Sequence, residues 1–196
     1  MNVPNRITVC RMVLAIILLV MMMFPLEAIG IDFPELRIRP ELIIDGKDII
    51  CGVIFLIASL TDFLDGYLAR KFNLVTDLGK VMDAIADKIL VNGVLIILAV
   101  NGYISPIVPV VIVCRDIAVD SIKMVAGQKN GAVAASKAGK TKTAFMLIGI
   151  TLVFFNDLPF SLMKVYPGKV IIMIAVVLSI ISGVQYFEKN KKYILN

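Results

Sequence analysis

Apolar residues run along this chain in long blocks, separated by short polar breaks. Met12 to Phe24, Ile49 to Leu60 and Ile89 to Val100 are almost free of charge. A bilayer core takes roughly 20 apolar residues as a helix, and the pattern predicts six such spans, over about 8–29, 48–70, 77–100, 105–125, 142–155 and 169–187. The breaks carry turn chemistry. Residues 30–47 hold Pro34, Pro40 and five acidic side chains in and around them, and read as a loop. Residues 71–76 are a short turn. Asn101-Gly102 is a turn signal, and Ser105-Pro106 opens the fourth span. Residues 127–141 form a basic, glycine- and alanine-rich loop. Asn156, Asp157 and Pro159, then Pro167-Gly168, separate the last two spans. The first eleven residues, MNVPNRITVCR, are mildly amphipathic and read as an interfacial segment leading into span one. Arg6 and Arg11 before an apolar run resemble a signal peptide, but Pro25-Leu26-Glu27 stands where an A-x-A-like cleavage site belongs, so the span is expected to be retained. The fold class is therefore all-α: a polytopic membrane protein, one domain over 1–196.

Composition agrees. Hydrophobic residues make up 59% of the chain and mean hydropathy is +0.93, against roughly 45–50% apolar in soluble domains. Histidine and tryptophan are absent, which removes Ser-His-Asp, Cys-His and His-ligated zinc chemistry. Cys10, Cys51 and Cys114 lie in or beside apolar runs with no metal-like spacing and predict no disulfide framework. The net charge of +5 is first a topology signal; nucleic acid normally calls for a dedicated basic domain, and none is expected as a partner. With a cytoplasmic N-terminus, fifteen of the twenty Lys and Arg residues fall on the inner side and five on the outer. That asymmetry predicts a multi-pass protein of the cell membrane with both termini in the cytoplasm.

Four aspartates break the apolar pattern. Asp62 and Asp65 stand near the end of the second span, Asp83 and Asp87 near the start of the third. Ionisable groups at membrane depth point to function. Asp62 and Asp65 share a helix face, and Gly79, Asp83 and Asp87 form an i, i+4, i+8 line. Two antiparallel helices joined by a short turn bring both pairs together on the cytoplasmic side. Carboxylates so placed repel one another unless cations intervene, and all-oxygen ligation suits Mg²⁺ or Mn²⁺. Two such ions would clamp a phosphoryl group, and a carboxylate left partly free would serve as general base. Gly66 leaves room for a bulky phosphate ligand, Gly79 for a ligand or for close helix packing, and Arg70 offers a bidentate fork for phosphate. Asp77 is expected as the cap of the third helix.

The spacing D-x2-D-G-x2-A-R-x8-G-x3-D-x3-D is complete in Asp62, Asp65, Gly66, Ala69, Arg70, Gly79, Asp83 and Asp87. It resembles the CDP-alcohol phosphatidyltransferases, and the number of spans matches over the whole chain. The resemblance implies transfer of a phosphatidyl group from CDP-diacylglycerol to an alcohol with release of CMP, in a cytoplasm-facing cleft of a homodimer. It implies two divalent cations on Asp62, Asp65, Asp83 and Asp87, with Asp87 also the base. Asp62, Gly66, Arg70, Thr76 and Gly79 would line the CDP-diacylglycerol pocket.

The acceptor must be read elsewhere. Arg115, Lys137, Lys140 and Lys142 are expected at the cytoplasmic mouth of the same cleft, and a cluster that basic suggests an anionic acceptor. The segment ASKAGKTKT tempts a phosphate-loop reading but has Ala134 where glycine is needed, with no preceding strand. The opening NVPNRITVCR, the Arg115-Asp116 pair and SKAGKTKT resemble the bacterial branch of the family that accepts sn-glycerol 3-phosphate. Inositol phosphate and phosphatidylglycerol are the alternative acceptors. A cation transporter is the alternative from another class; it would place its ionisable groups near the midplane, often in repeated halves, whereas these lie at one side with no second copy.

Overall fold

In the computed structural model, residues 3–39, 42–72, 76–130 and 137–194 are described. Among them the chain forms six α-helices: α1 (Val3–Met23), α2 (Gly46–Lys71), α3 (Asp77–Val100), α4 (Ile107–Asn130), α5 (Lys137–Phe154) and α6 (Pro167–Ile194). α1 packs along both α2 and α3. α6 packs along α4 and α5. Contacts of α2 with α5 and of α3 with α4 join the two groups. One continuous core draws on all six helices, with Leu18, Phe55, Leu95, Ile112, Ile150 and Ile172 each at most 1% exposed. The rings of Phe55 and Phe154 meet at 5.8 Å between centroids where α2 crosses α5. Gly52 permits that crossing, since a Cβ there would stand 2.9 Å from Phe154 Cβ.

The outer surface is apolar too. Val20, Leu60, Val100, Val110, Met163 and Val177 are all exposed, as expected where lipid takes the place of water. Among the described residues, two helical stretches, Asn5–Met23 and Pro167–Lys191, are long and apolar enough to cross a membrane by length and composition, with mean hydropathies of 2.2 and 2.4. α2 to α5 each carry several charged side chains within their length.

Several expected boundaries shift, each for a local reason. α1 begins at Val3 without a break near Thr8, and it stops at Met23 rather than near residue 29. Pro25 disfavours helix at the residue before it, and a 3-10 turn, Leu26–Ile29, follows with Gly30 in the left-handed region at φ 82°. The expected loop at 30–47 contains an antiparallel pair, β1 (Leu36–Arg39) with β2 (Leu42–Ile44), in which Leu36 faces Ile44 and Arg37 faces Ile43. The Leu-Arg-Ile-Arg alternation has the period of a strand. α3 spans the expected residues, but its N-cap is Thr76, whose hydroxyl accepts from the Gly79 N–H at 3.0 Å; Asp77 is the first helical residue. The expected loop at 127–141 shrinks from both sides, because α4 runs on to Asn130 and α5 already starts at Lys137. Residues such as Lys, Gln and Ala carry little helix penalty. The rest of that loop, 131–136, lies outside the described residues, as do 73–75 of the turn after α2.

Candidate active site

The polar residues gather at the start of α1, the end of α2, the start of α3, the second half of α4, the start of α5 and the end of α6. They form two adjoining clusters, and α3 contributes to both.

In the first cluster Asp62 of α2 and Asp83 of α3 each make an ion pair with the guanidinium of Arg11 on α1. The Arg11 side chain is fully buried, while the two carboxylates are partly exposed. Arg11 Nη2 also lies 3.4 Å from the Asp83 carbonyl oxygen. Below this, Asn5 is buried and its Nδ2 donates to Thr76 Oγ1 at 3.3 Å. Gly79 is required here for close approach: a Cβ would stand 2.6 Å from Asn5 Oδ1 and 2.9 Å from Thr76 Oγ1. Of the two roles expected for Gly79, helix packing is the one its surroundings display. Gly66 lies within α2. The side chains of Asp65 and Arg70 are outside the described set, and among the described residues no three carboxylates meet as a ready metal centre. Asp62 and Asp83 nevertheless fit a divalent cation. They converge from separate helices, they offer only anionic oxygen, and they already enclose one positive charge.

The second cluster opens one turn further along α3. Asp87 lines a cavity of 260 Å³ whose wall includes Lys88, Arg115, Lys123, Lys140 and Lys142. The wall thus combines the expected base with three of the four expected acceptor residues; the Lys137 side chain is outside the described set. Arg115 is held rigidly. Its Nε donates to the Ser179 carbonyl oxygen at 3.0 Å, Nη1 to Asp116 at 3.0 Å and Nη2 to Ser182 Oγ at 2.7 Å. Gly183 lets α6 come close, since a Cβ there would lie 3.3 Å from Arg115 Cγ. Lys142 is buried and donates to the same Asp116 oxygen at 2.8 Å. Lys88 pairs with Asp120, and the Lys123 ammonium sits 5.2 Å from the Tyr186 ring centre.

Lysines at a helix N-terminus oppose the helix dipole, yet Lys137, Lys140 and Lys142 all fall in the opening turns of α5. A local rule broken in this way marks a functional site. The positive end of the helix dipole and the lysines together favour an anion. Asp116 offsets part of the charge, and a phosphate in the cavity would offset more.

Sequence patterns did not single out Arg11, Asp116, Asp120, Lys88 or Tyr186 as site residues. Signals existed for some of them. Arg11 is in step with Thr8, Ala15, Leu18 and Met22, the buried face of α1. Asp116 and Asp120 are four apart on one helix face. Ser179, Ser182 and Gly183 are small residues at helical spacing, as suits a close helix contact.

A helical bundle that turns carboxylates and a basic cavity toward one another is suited to phosphoryl chemistry, and the sequence comparison gives the class. The model of the CDP-alcohol phosphatidyltransferase family matches residues 1–181, and the chain belongs to that family of enzymes. The chain is similar to the CDP-diacylglycerol–glycerol-3-phosphate 3-phosphatidyltransferase of Bacillus subtilis, 36% identical over 189 residues, 96% of this chain and 95% of that one. It is also similar to the Rickettsia bellii protein of the same name, at 32% over 98% of this chain and 97% of that one. An Arabidopsis thaliana protein named as the second such transferase is 32% identical over 72% of this chain and 67% of its own length.

Proposed function

We propose that the protein transfers the phosphatidyl group of CDP-diacylglycerol to sn-glycerol 3-phosphate, giving phosphatidylglycerophosphate and CMP. The observation that carries the acceptor is the cavity in which Asp87 faces Arg115, Lys140 and Lys142. A phosphate held by those cations leaves the other end of a three-carbon acceptor free to reach the carboxylate. Asp87 takes the proton from the acceptor hydroxyl. The hydroxyl oxygen then bonds to the phosphorus that carries diacylglycerol, and the bond from that phosphorus to the CMP oxygen breaks. On this reading Asp62, Gly66, Arg70 and Thr76 would line the donor pocket, with Gly79 letting the helices close up beside it, and Lys137 would add to the acceptor wall. Asp62, Asp65, Asp83 and Asp87 would hold two divalent cations, Mg²⁺ or Mn²⁺, which would supply neutralisation of the donor's diphosphate charge.

We read all six helices as membrane spans of a single domain, with the site and both termini on the cytoplasmic side and two copies per assembly. The continuous core, the apolar outer surface and the bias of basic residues toward the site support this reading. The test is an acceptor panel on purified protein with CDP-diacylglycerol and Mg²⁺ or Mn²⁺. Release of CMP with sn-glycerol 3-phosphate, and not with inositol phosphate, serine or phosphatidylglycerol, is the expected result. Release with one of the others alone would replace the acceptor and leave the reaction class intact.

A further inference from the structure

Arg11 has no part in the chemistry above, yet it is the largest buried polar side chain among the described residues. It occupies a core position of α1, on the same face as Ala15, Leu18 and Met22. A charge in such a place is tolerated only when it is paired. Its partners are two carboxylates from two different helices. Among the described residues α2 and α3 touch one another sparingly, and α1 is wedged along both. Without a cation between them, Asp62 and Asp83 would repel across that seam.

We propose that Arg11 is a positioning residue, the resident counter-cation of the carboxylate site. It holds Asp62 and Asp83 together across α1, α2 and α3 when no divalent cation is bound, and it shares that task with the metal once one binds. This rests on Asp62 and Asp83 being metal ligands. It follows that Arg11 and the divalent cation are partly redundant for stability and compete for the same negative charge.

The experiment is thermal unfolding of the full-length protein in detergent, in EDTA and in saturating Mn²⁺, together with titration of Mn²⁺ alone by electron paramagnetic resonance. Arg11→Gln should lower Tm in EDTA by about 10 °C. Mn²⁺ should close roughly half of that gap or more and should bind the variant several-fold more tightly than wild type, because the competing positive charge has gone. Arg11→Lys, which keeps the charge but not the fork that reaches both carboxylates, should fall between. Leu18→Ala, a buried change on the same face, should lose equal stability in both conditions. An Arg11→Gln protein that can be purified only in Mn²⁺ would also support the proposal. An equal Tm deficit in EDTA and Mn²⁺, or weaker Mn²⁺ binding, with wild type still stabilised by Mn²⁺, would overturn it alone. Loss of Arg11→Gln under both conditions, with Arg11→Lys equally impaired in both, would do the same. Absence of any Mn²⁺ stabilisation in wild type would instead overturn the metal reading of Asp62 and Asp83, and this inference with it.

Discussion

In the α1–α3 half, two carboxylates close around one buried cation, Arg11. In the α4–α6 half the balance is reversed: Arg115, Lys123, Lys140 and Lys142 surround two carboxylates, Asp116 and Asp120. α3 joins the halves, with Asp83 in the first cluster and Asp87, one turn on, in the second. The two halves also solve the problem of buried charge differently. The first uses one guanidinium as a clasp across helices. The second ties its cations to fixed acceptors, as in the three hydrogen bonds that hold Arg115. An excess of negative charge beside an excess of positive charge suits a reaction in which cations hold a diphosphate donor and an anionic acceptor is brought to it.

The comparison can be broken most severely at the junction. Asp87→Asn removes the proposed base and keeps the shape, and it should lower the rate of CMP release by roughly 10³ while Mn²⁺ still stabilises the protein. A rate near wild type would mean that the proton leaves by another route. Next in size is Lys142→Ala. It leaves Asp116 paired to Arg115 alone and removes a buried cation from the cavity wall. The KM for sn-glycerol 3-phosphate should rise by roughly 10- to 100-fold, measured with CDP-diacylglycerol saturating. A smaller effect is expected from Thr76→Ala on the other side of the junction. Loss of the α3 cap should lower Tm by about 3 °C, with the acceptor KM unchanged.

The same contrast explains what could be read from sequence. Asp62 and Asp83 belong to one stretch with fixed spacing, so their approach across α2 and α3 was legible from helix periodicity. α3 itself was legible because Asn101-Gly102 closes it and polar residues open it. Arg11 was not, since an arginine ahead of an apolar run has the same appearance whether it marks topology or clasps two carboxylates. In the second half, Arg115 and Lys142 were recognisable as cations, but their common partner Asp116 depends on how α4 and α5 pack, which periodicity does not specify. The β1–β2 pair was missed because Pro34 and Pro40 dominate a segment whose alternation is only four residues long.

The division of labour between the halves is tested most directly by steady-state kinetics of Lys140→Ala with both substrates varied. Lys140 is exposed at the cavity wall, so its removal should take away acceptor binding and little else. The account predicts a KM for sn-glycerol 3-phosphate raised about tenfold, with the KM for CDP-diacylglycerol and kcat within about twofold of wild type. A raised KM for CDP-diacylglycerol with the acceptor KM unchanged would contradict it.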